Sequence, residues 1–214
     1  MVVGATGGLG THLCKQSLKR GHQVTGVVRS RTKIESKYSE EERKQISFKV
    51  GTIEDPAFLS EAFAGADVVV EVLSNNVRPH FIKLLLDAAK VDKVKSFVIS
   101  GGAGQLEVKP GVTLAQSDPE WGRGWLNDVT NLHFGVQELS LLYASSMSVT
   151  QFAPPSMTEG EMTGNVVPSL DGQLGETKVT YGDAAHCLLE VLEKVPVDAR
   201  NRRVIALHKY HAEL

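Results

Sequence analysis

The sequence opens with a short apolar run followed by glycines at every third position, Gly4, Gly7 and Gly10. The residues after them carry apolar side chains at helical spacing as far as Gly21, whose place is typical of a helix C-terminus. A strand that turns through glycines into a helix brings bare backbone and the positive end of the helix dipole to one point. The pattern therefore predicts a strand–turn–helix unit that can hold a phosphate group.

Each glycine of this turn is expected to have its own role. Gly4 allows the tight turn, Gly7 leaves room for a pyrophosphate, and Gly10 lets the helix lie close to the strand. Only three residues precede Gly4, so either the first strand is very short or the amino terminus is shortened. Because glycine also serves ordinary turns, the interpretation depends on the elements that follow.

Strand-like runs alternate with helical stretches along the chain. The runs are residues 1–3, 24–28, 46–50, 67–73, 96–100, 149–152 and 203–207, with an extended stretch at 178–180. Helices are predicted at residues 33–45, 57–63, 79–90, 132–143 and 183–194. This alternation predicts an α/β fold, a Rossmann-type doubly wound parallel sheet with helices on both faces. We expect one domain over residues 1–214, with substrate-side loops at 101–130 and 155–176.

Composition restricts the classes of partner. The 214 residues are 42% hydrophobic and 22% charged with a net charge of −2, which gives no bulk attraction for nucleic acid or anionic membranes. Cys14 and Cys187 lack metal-type spacing and are expected to be small apolar core residues, so no metal is predicted. No signal sequence or long apolar span is evident, so we expect a cytoplasmic protein that is a monomer or homodimer.

The strand ends predict where a cofactor would bind, because ligands of open parallel sheets lie at the carboxyl ends of the strands. Arg29 ends the second strand, where an acid would accept a ribose hydroxyl. Its guanidinium suits a 2′-phosphate and favours NADP(H) over NAD(H), unless Arg29 merely lies in a surface turn. The predicted cofactor-binding residues are Gly4, Thr6, Gly7, Gly8, Leu9, Gly10, Arg29, Thr52, Ile53, Leu73, Ser74, Ser100, Gly101, Pro154 and Pro155.

The sequence resembles the atypical short-chain dehydrogenase/reductase family over nearly its whole length, in the NmrA-like and NAD(P)H-flavin reductase-like branch. The matching stretches are residues 4–10, 28–29, 101–108, 154–155, 163–164 and 171–172, and the regions 154–172 and 207–210 are similar to biliverdin IXβ reductase. The resemblance implies an NADPH-dependent oxidoreductase. In such enzymes the nicotinamide passes hydride directly to a planar acceptor, a flavin, quinone or similar small molecule.

The sequence departs from its relatives at the positions that carry chemistry. Short-chain dehydrogenases that reduce carbonyls use a Tyr-x-x-x-Lys pair, and no tyrosine of this chain has a lysine four residues later. In the biliverdin reductase relatives, a serine and a histidine line the substrate, whereas the matching positions here hold Gly102 and Ser156. Ser100 lies two residues before Gly102 and can still donate a hydrogen bond. The predicted catalytic residues are Ser100, Ser156 and Tyr181.

Two other functions stay open at this point. A non-catalytic, NmrA-like protein that senses NADP fits the weak set of proton donors, and the missing tyrosine–lysine pair disfavours an epimerase or isomerase. Glu71, in an apolar strand, is either an acid near the site or a structural group, and we favour the structural interpretation. Trp121 and Trp125 either stack on a planar substrate or anchor their loop. His133 and His186, on predicted helices, are expected to be structural.

Overall fold

The structure is a computed structural model that describes residues 1–73, 78–101, 106–110, 112–117, 141–170, 178–197 and 203–208. The strands are β1 (Val2–Val3), β2 (Val24–Val28), β3 (Ile46–Val50), β4 (Val68–Glu71), β5 (Ser96–Ser100), β6 (Glu107–Lys109), β7 (Val112–Thr113), β8 (Ser148–Phe152), β9 (Ser156–Thr158), β10 (Val166–Leu170), β11 (Lys178–Thr180) and β12 (Arg203–His208). The helices are α1 (Gly8–Lys19), α2 (Thr32–Lys37), α3 (Glu40–Gln45), α4 (Pro56–Phe63), α5 (Arg78–Val91), α6 (Leu114–Ser117) and α7 (Tyr181–Lys194).

The main sheet has eight strands in the order β10-β12-β8-β5-β4-β1-β2-β3. Neighbouring strands are parallel except for the β10–β12 pair at one edge, which is antiparallel. The chain runs from β1 outward to β3, then returns to β4 on the other side of β1. The direction of winding therefore reverses between β1 and β4, and a crevice forms there at the carboxyl ends of the strands. The predicted doubly wound parallel sheet is confirmed.

Alternate residues of the central strands enter different cores. Val2, Val70 and Val98 belong to the core under α1 and α7, whereas Val3 and Phe97 belong to the core under α4 and α5. Successive side chains of a strand point to opposite faces, so a sheet covered on both sides needs nearly continuous apolar runs. The short runs of valine seen in the sequence satisfy this requirement.

The first helix ends as its sequence predicts. Gly21 has φ +84, its N–H donates to the Leu18 carbonyl at 2.9 Å, and the His22 N–H donates to the Ser17 carbonyl at 3.1 Å. These two bonds form a Schellman motif, in which a glycine takes the left-handed conformation.

One predicted helix is wrong. Residues 33–45 form two short helices, α2 and α3, separated by Tyr38, whose backbone is extended with φ −129 and ψ 137. Ser39 then starts α3 through a capping box with Glu42. The Tyr38 side chain is only 3% exposed. The extended backbone at Tyr38 ends α2, the Ser39 cap starts α3, and the Tyr38 ring enters the core between the two helices.

The described part of the predicted loop 155–176, residues 155–170, is more regular than predicted. It contains β9, which pairs with β11, and the edge strand β10. Pro168 in β10 lacks the N–H that a central strand would need, and an edge position tolerates it. The 101–130 region contributes the antiparallel β6–β7 pair and α6.

Ser74, Gly102, Trp121, Trp125 and His133 lie outside the described residues. None of the described helices has the length and apolar character needed to cross a bilayer.

Candidate nucleotide-binding site

Residues 4–10, here called the glycine loop, form the turn between β1 and α1 at the crevice. Gly4 has φ +96, a conformation that favours glycine, and its carbonyl accepts the Gly7 N–H at 3.0 Å. Gly7 is the N-cap of α1, and the first turn of the helix carries no acidic side chain. Among the described backbone hydrogen bonds, none uses the N–H of Thr6 or of the first helical residues Gly8 to Gly10. These donors are available to an anion.

The glycines differ in what a side chain would meet. A Cβ on Gly10 would lie 2.3 Å from the Gly4 carbonyl oxygen, so this glycine permits close packing of helix on strand. A Cβ on the exposed Gly7 would meet only that same oxygen, at 3.3 Å. The space above Gly7 is therefore open in the protein, as a pyrophosphate site requires.

The buried side of the glycine loop is held by two hydroxyl groups. The carbonyl of Ala5 accepts a hydrogen bond from the Tyr38 hydroxyl at 2.5 Å and another from Thr11 Oγ1 at 3.3 Å. Burial raises the pKa of the Tyr38 hydroxyl well above its ordinary value, so the hydroxyl remains a donor. The sequence analysis missed Tyr38, because a tyrosine in a charged stretch gives no sign of the core it enters.

The end of β2 carries a basic segment, residues 29–33, with exposed side chains. Arg29, Arg31 and Lys33 bring three positive charges, and in the described part of the chain no salt bridge pairs any of them. Unpaired guanidinium groups at this strand end can bind a phosphate. Arg31 and Lys33 follow the predicted Arg29 in the sequence, and the structure leaves all three side chains exposed.

The ends of β3 and β4 supply the next predicted residues. Thr52 is exposed, whereas Ile53 is buried in the core under α4 and α5. Glu71 is fully buried at the end of β4, and its Oε1 accepts the Leu73 N–H at 2.6 Å. This bond shapes the backbone where the chain leaves the sheet, and it supports the structural interpretation of Glu71.

The ends of β5 and β8 lie side by side. Ser100 is paired in register with Phe152, and the Gly101 N–H donates to the Phe152 carbonyl at 2.5 Å. Ser100 is 4% exposed, and Pro154 and Pro155 are buried directly after β8. Ser156 is exposed in β9, where it pairs in register with Lys178 of β11.

Tyr181 lies against the glycine loop. A Cβ on Gly8 would lie 2.4 Å from Cε2 of Tyr181, so only glycine leaves room for this ring. The other neighbour of the ring is His12 of α1, stacked with a centroid distance of 6.4 Å. His12 is 7% exposed, and Glu159 and Glu161 approach it to 3.9 Å. The sequence analysis missed His12 and gave Gly8 no packing role.

A buried carboxylate organises the neighbouring loop, residues 159–165, here called the capped loop. Asp183 is 2% exposed and accepts hydrogen bonds from the Thr163 N–H and hydroxyl, both at 2.9 Å, and from the Gly164 N–H at 3.3 Å. It also accepts from the hydroxyl of Thr180, the N-cap of α7, at 3.0 Å. The Thr-x-x-Asp spacing of residues 180–183, before an apolar helix, is typical of a helix N-terminus and was the sequence signal that could have identified Asp183.

His186 is not at the crevice. Its Nδ1 lies 2.7 Å from a nitrogen of Arg20 at the carboxyl end of α1, which agrees with a structural role. Both cysteines are buried, as predicted.

A family model described as NAD(P)H-binding matches residues 4–195. The chain belongs to this NAD(P)H-binding family. The match confirms the resemblance found in the sequence, and it starts at the first residue of the glycine loop.

Individual relatives of this NAD(P)H-binding protein agree with that assignment. It is 28% identical over 200 residues to YwnB of Bacillus subtilis, an uncharacterized protein, covering 90% of this chain and 91% of YwnB. A candidate NADH-flavin reductase from Streptococcus pneumoniae superposes with a TM-score of 0.76 at 22% identity, over 97% of this chain and 98% of that one. ChuY, an anaerobillin reductase from Escherichia coli O157:H7, superposes with a TM-score of 0.73 at 14% identity, over 97% of this chain and 96% of ChuY. At these identities the two structures show a shared fold alone.

Proposed function

We propose that this protein is an NADPH-dependent oxidoreductase that transfers hydride to a planar acceptor, a flavin, quinone or similar small molecule. The observation that carries the proposal is the carboxyl edge of the sheet at β1 and β2, beside the crevice between β1 and β4. There the available N–H groups of α1 and the open Gly7 lie at the end of β1, and three cations without a salt bridge among the described residues follow the neighbouring β2. A bound nicotinamide would supply the hydride. The residues of the chain would bind, orient and shield it.

The residues divide between the parts of the cofactor. The glycine loop would hold the pyrophosphate, with the N–H groups of the first turn of α1 as donors. Arg29, Arg31 and Lys33 would hold a 2′-phosphate, which NADPH has and NADH lacks. Ser100 and Gly101, at the end of β5, would lie near the nicotinamide.

The planar acceptor is supported by what the sequence lacks and by the names of structural neighbours. No tyrosine–lysine pair is available to protonate a carbonyl oxygen. Two proteins of the same fold are described as a candidate NADH-flavin reductase and an anaerobillin reductase, both names that refer to flat conjugated acceptors. Ser156 and Tyr181 would border the acceptor. We propose a cytoplasmic monomer or homodimer that needs no metal.

Steady-state oxidation of NADPH with FMN, riboflavin and small quinones tests the proposal. We expect turnover with at least one acceptor and a lower KM for NADPH than for NADH. Arg29→Ala should remove most of that difference and leave the KM for NADH nearly unchanged.

The opposite result is equally informative. Tight NADPH binding with no turnover on any acceptor would overturn the reductase and favour a protein that senses the nucleotide. Comparable affinity for NADP⁺ and NADPH, with a protein partner that binds only one of the two complexes, would then support the sensor.

A further inference from the structure

Tyr38 joins two parts of the proposed nucleotide site that are far apart in sequence. It lies at the end of α2, just beyond the basic segment, and its ring is buried against Phe48 with centroids 5.1 Å apart. The ammonium group of Lys15 lies 5.7 Å from the ring centroid. The ring is therefore fixed by the core on one side and by α1 on the other.

The hydroxyl of Tyr38 acts on the glycine loop through a backbone carbonyl. It donates to the carbonyl of Ala5, 33 residues earlier, at 2.5 Å. The peptide bonds of the described residues are trans, and in a planar trans peptide the C=O and the following N–H point in opposite directions. A carbonyl of Ala5 held toward the core turns the Thr6 N–H toward the crevice, where the proposed pyrophosphate would lie.

The basic segment itself has few attachments to the rest of the fold. Residues 29–33 are exposed, and the hydrogen bonds between Ser30 and Thr32 are local to the turn. Beyond β2, the first buried side chains are Ile34 at 7% exposure and Tyr38 at 3%. The position of Arg29 relative to the glycine loop therefore depends on β2 at one end and on Ile34 and Tyr38 at the other, and of these two only Tyr38 also bonds to the glycine loop among the described hydrogen bonds.

We propose that Tyr38 is a positioning residue for cofactor specificity: its hydroxyl ties the basic segment to the glycine loop and sets the distance between the 2′-phosphate and pyrophosphate sites. This inference rests on the proposed NADPH binding. Tyr38 touches neither phosphate: it acts through the position of Arg29, and the peptide between Ala5 and Thr6 is the fixed point of the glycine loop to which it ties the basic segment.

Tyr38→Phe removes the hydroxyl and keeps the ring. We expect the Kd for NADPH, measured by titration calorimetry, to rise about five- to tenfold, the range expected for one hydrogen bond. The Kd for NADH should change less than about twofold, within the scatter of independent sites. Both Kd values are measured on the same variant, so their ratio does not change if part of that variant is unfolded.

Tyr143→Phe is the matched control. Tyr143 is also a buried tyrosine, 4% exposed, and its hydroxyl donates to Asp87 on α5 in the other core. This variant should lower the thermal midpoint without changing the ratio of Kd values. Should Tyr38→Phe not fold, Tyr38→Met fills the site with an adaptable side chain and also lacks the hydroxyl.

A double-mutant cycle with Arg29→Ala decides the mechanism. If Tyr38 acts through the basic segment, adding Tyr38→Phe to Arg29→Ala should raise the Kd for NADPH by less than about twofold. Additive losses, or equal losses for NADPH and NADH in Tyr38→Phe alone, would overturn the inference. A wild-type protein with no preference for NADPH would overturn the proposed cofactor as well, so the two failures are distinguishable.

Discussion

The glycine loop and the capped loop lie against the same pair of helices, α1 and α7, but different forces hold them. The glycine loop is shaped by backbone conformation and close approach: Gly4 has φ +96, and Gly10 leaves no room for a Cβ. The capped loop is held mainly by hydrogen bonds, most of them to the buried carboxylate of Asp183, which accepts from the backbone and a side chain of the loop. The glycine loop is shaped by its own glycines, which suits a site that always holds the same cofactor.

The capped loop has two further attachments to the start of α7: the Gly160 carbonyl accepts the Gly182 N–H at 3.0 Å, and the Glu161 carbonyl accepts the Thr180 hydroxyl at 2.9 Å. Only Gly182 approaches it as tightly as Gly10 approaches Gly4, since a Cβ there would lie 2.2 Å from the Met162 nitrogen. We therefore expect variants of the glycine loop to change cofactor binding, and variants of the capped loop to change the order of that loop without changing cofactor binding.

The largest expected effect comes from Gly7→Val. The backbone of Gly7 has φ −76, which any residue adopts, and the position is exposed, so the free energy of unfolding should fall by less than about 1.5 kcal/mol, in the range of N-cap changes. The valine side chain would occupy the proposed pyrophosphate space. NADPH affinity should fall at least about a hundredfold, or about 2.7 kcal/mol, as measured by calorimetry.

Gly10→Ala is the control for that experiment. Its new methyl group would lie 2.3 Å from the Gly4 carbonyl oxygen, so α1 must move and stability should fall by about 1–3 kcal/mol. Urea denaturation measures the loss. A Gly7→Val protein that binds NADPH like the wild type would refute the placement of the cofactor, and a fully stable Gly10→Ala protein would refute the packing argument.

The difference between the two loops also explains how much of the site could be predicted. Gly4, Gly10 and Gly21 were assigned correctly from sequence because the reason for each glycine is local: a turn, a close approach or a helix end. Tyr38 and Asp183 were missed because their partners, the Ala5 carbonyl and the Thr163 and Gly164 amides, are distant in sequence.

The distinction between local features and contacts distant in sequence also applies to the prediction of the fold. Buried parallel strands are visible as apolar runs such as residues 67–73, and their alternation with helices was sufficient to predict the sheet. The break at Tyr38 was not visible, since the charged residues around it have good helix propensity and tertiary packing overrides that preference. The edge strand β10 was also missed, because its Pro168 indicates a loop when the neighbouring strand is unknown.

Asp183→Ala should affect the capped loop and leave the glycine loop unchanged. Removal of a buried carboxylate leaves the amides of Thr163 and Gly164 and the hydroxyl of Thr163 without the acceptor they use, which should cost about 2–3 kcal/mol of stability. We expect hydrogen exchange to accelerate at Thr163 and Gly164. The Kd for NADPH should change less than about twofold, because the glycine loop does not depend on this carboxylate.

Asp183→Asn is the conservative comparison for this prediction. It keeps one acceptor oxygen and should show a smaller loss of protection at the same two amides. If Asp183→Ala weakened NADPH binding as strongly as Gly7→Val does, the two loops would be one unit and the contrast between them would be wrong.

A pH-dependent effect tests the helix pair on which both loops lie. Burial raises the pKa of the Cys14 thiol in α1 to about 11 and that of the Cys187 thiol in α7 to about 12. Both thiols stay protonated in the folded protein, whereas the unfolded chain releases their protons near the ordinary value of 9.0. The folded state then binds more protons than the unfolded state, so stability decreases as pH rises above about 9, by up to about 1.4 kcal/mol per pH unit for each thiol.

Urea denaturation of the wild type and of the Cys14→Ala/Cys187→Ala variant between pH 8 and about 10.5 isolates this contribution, because lysines and tyrosines titrate in both proteins. The variant should be less stable at pH 8, where two side chains have been shortened in the core, yet its stability should fall less steeply with pH. Parallel slopes would show that the thiols titrate alike in both states. Since both loops lie on this helix pair, the wild type should lose exchange protection in the glycine loop and the capped loop over the same pH range.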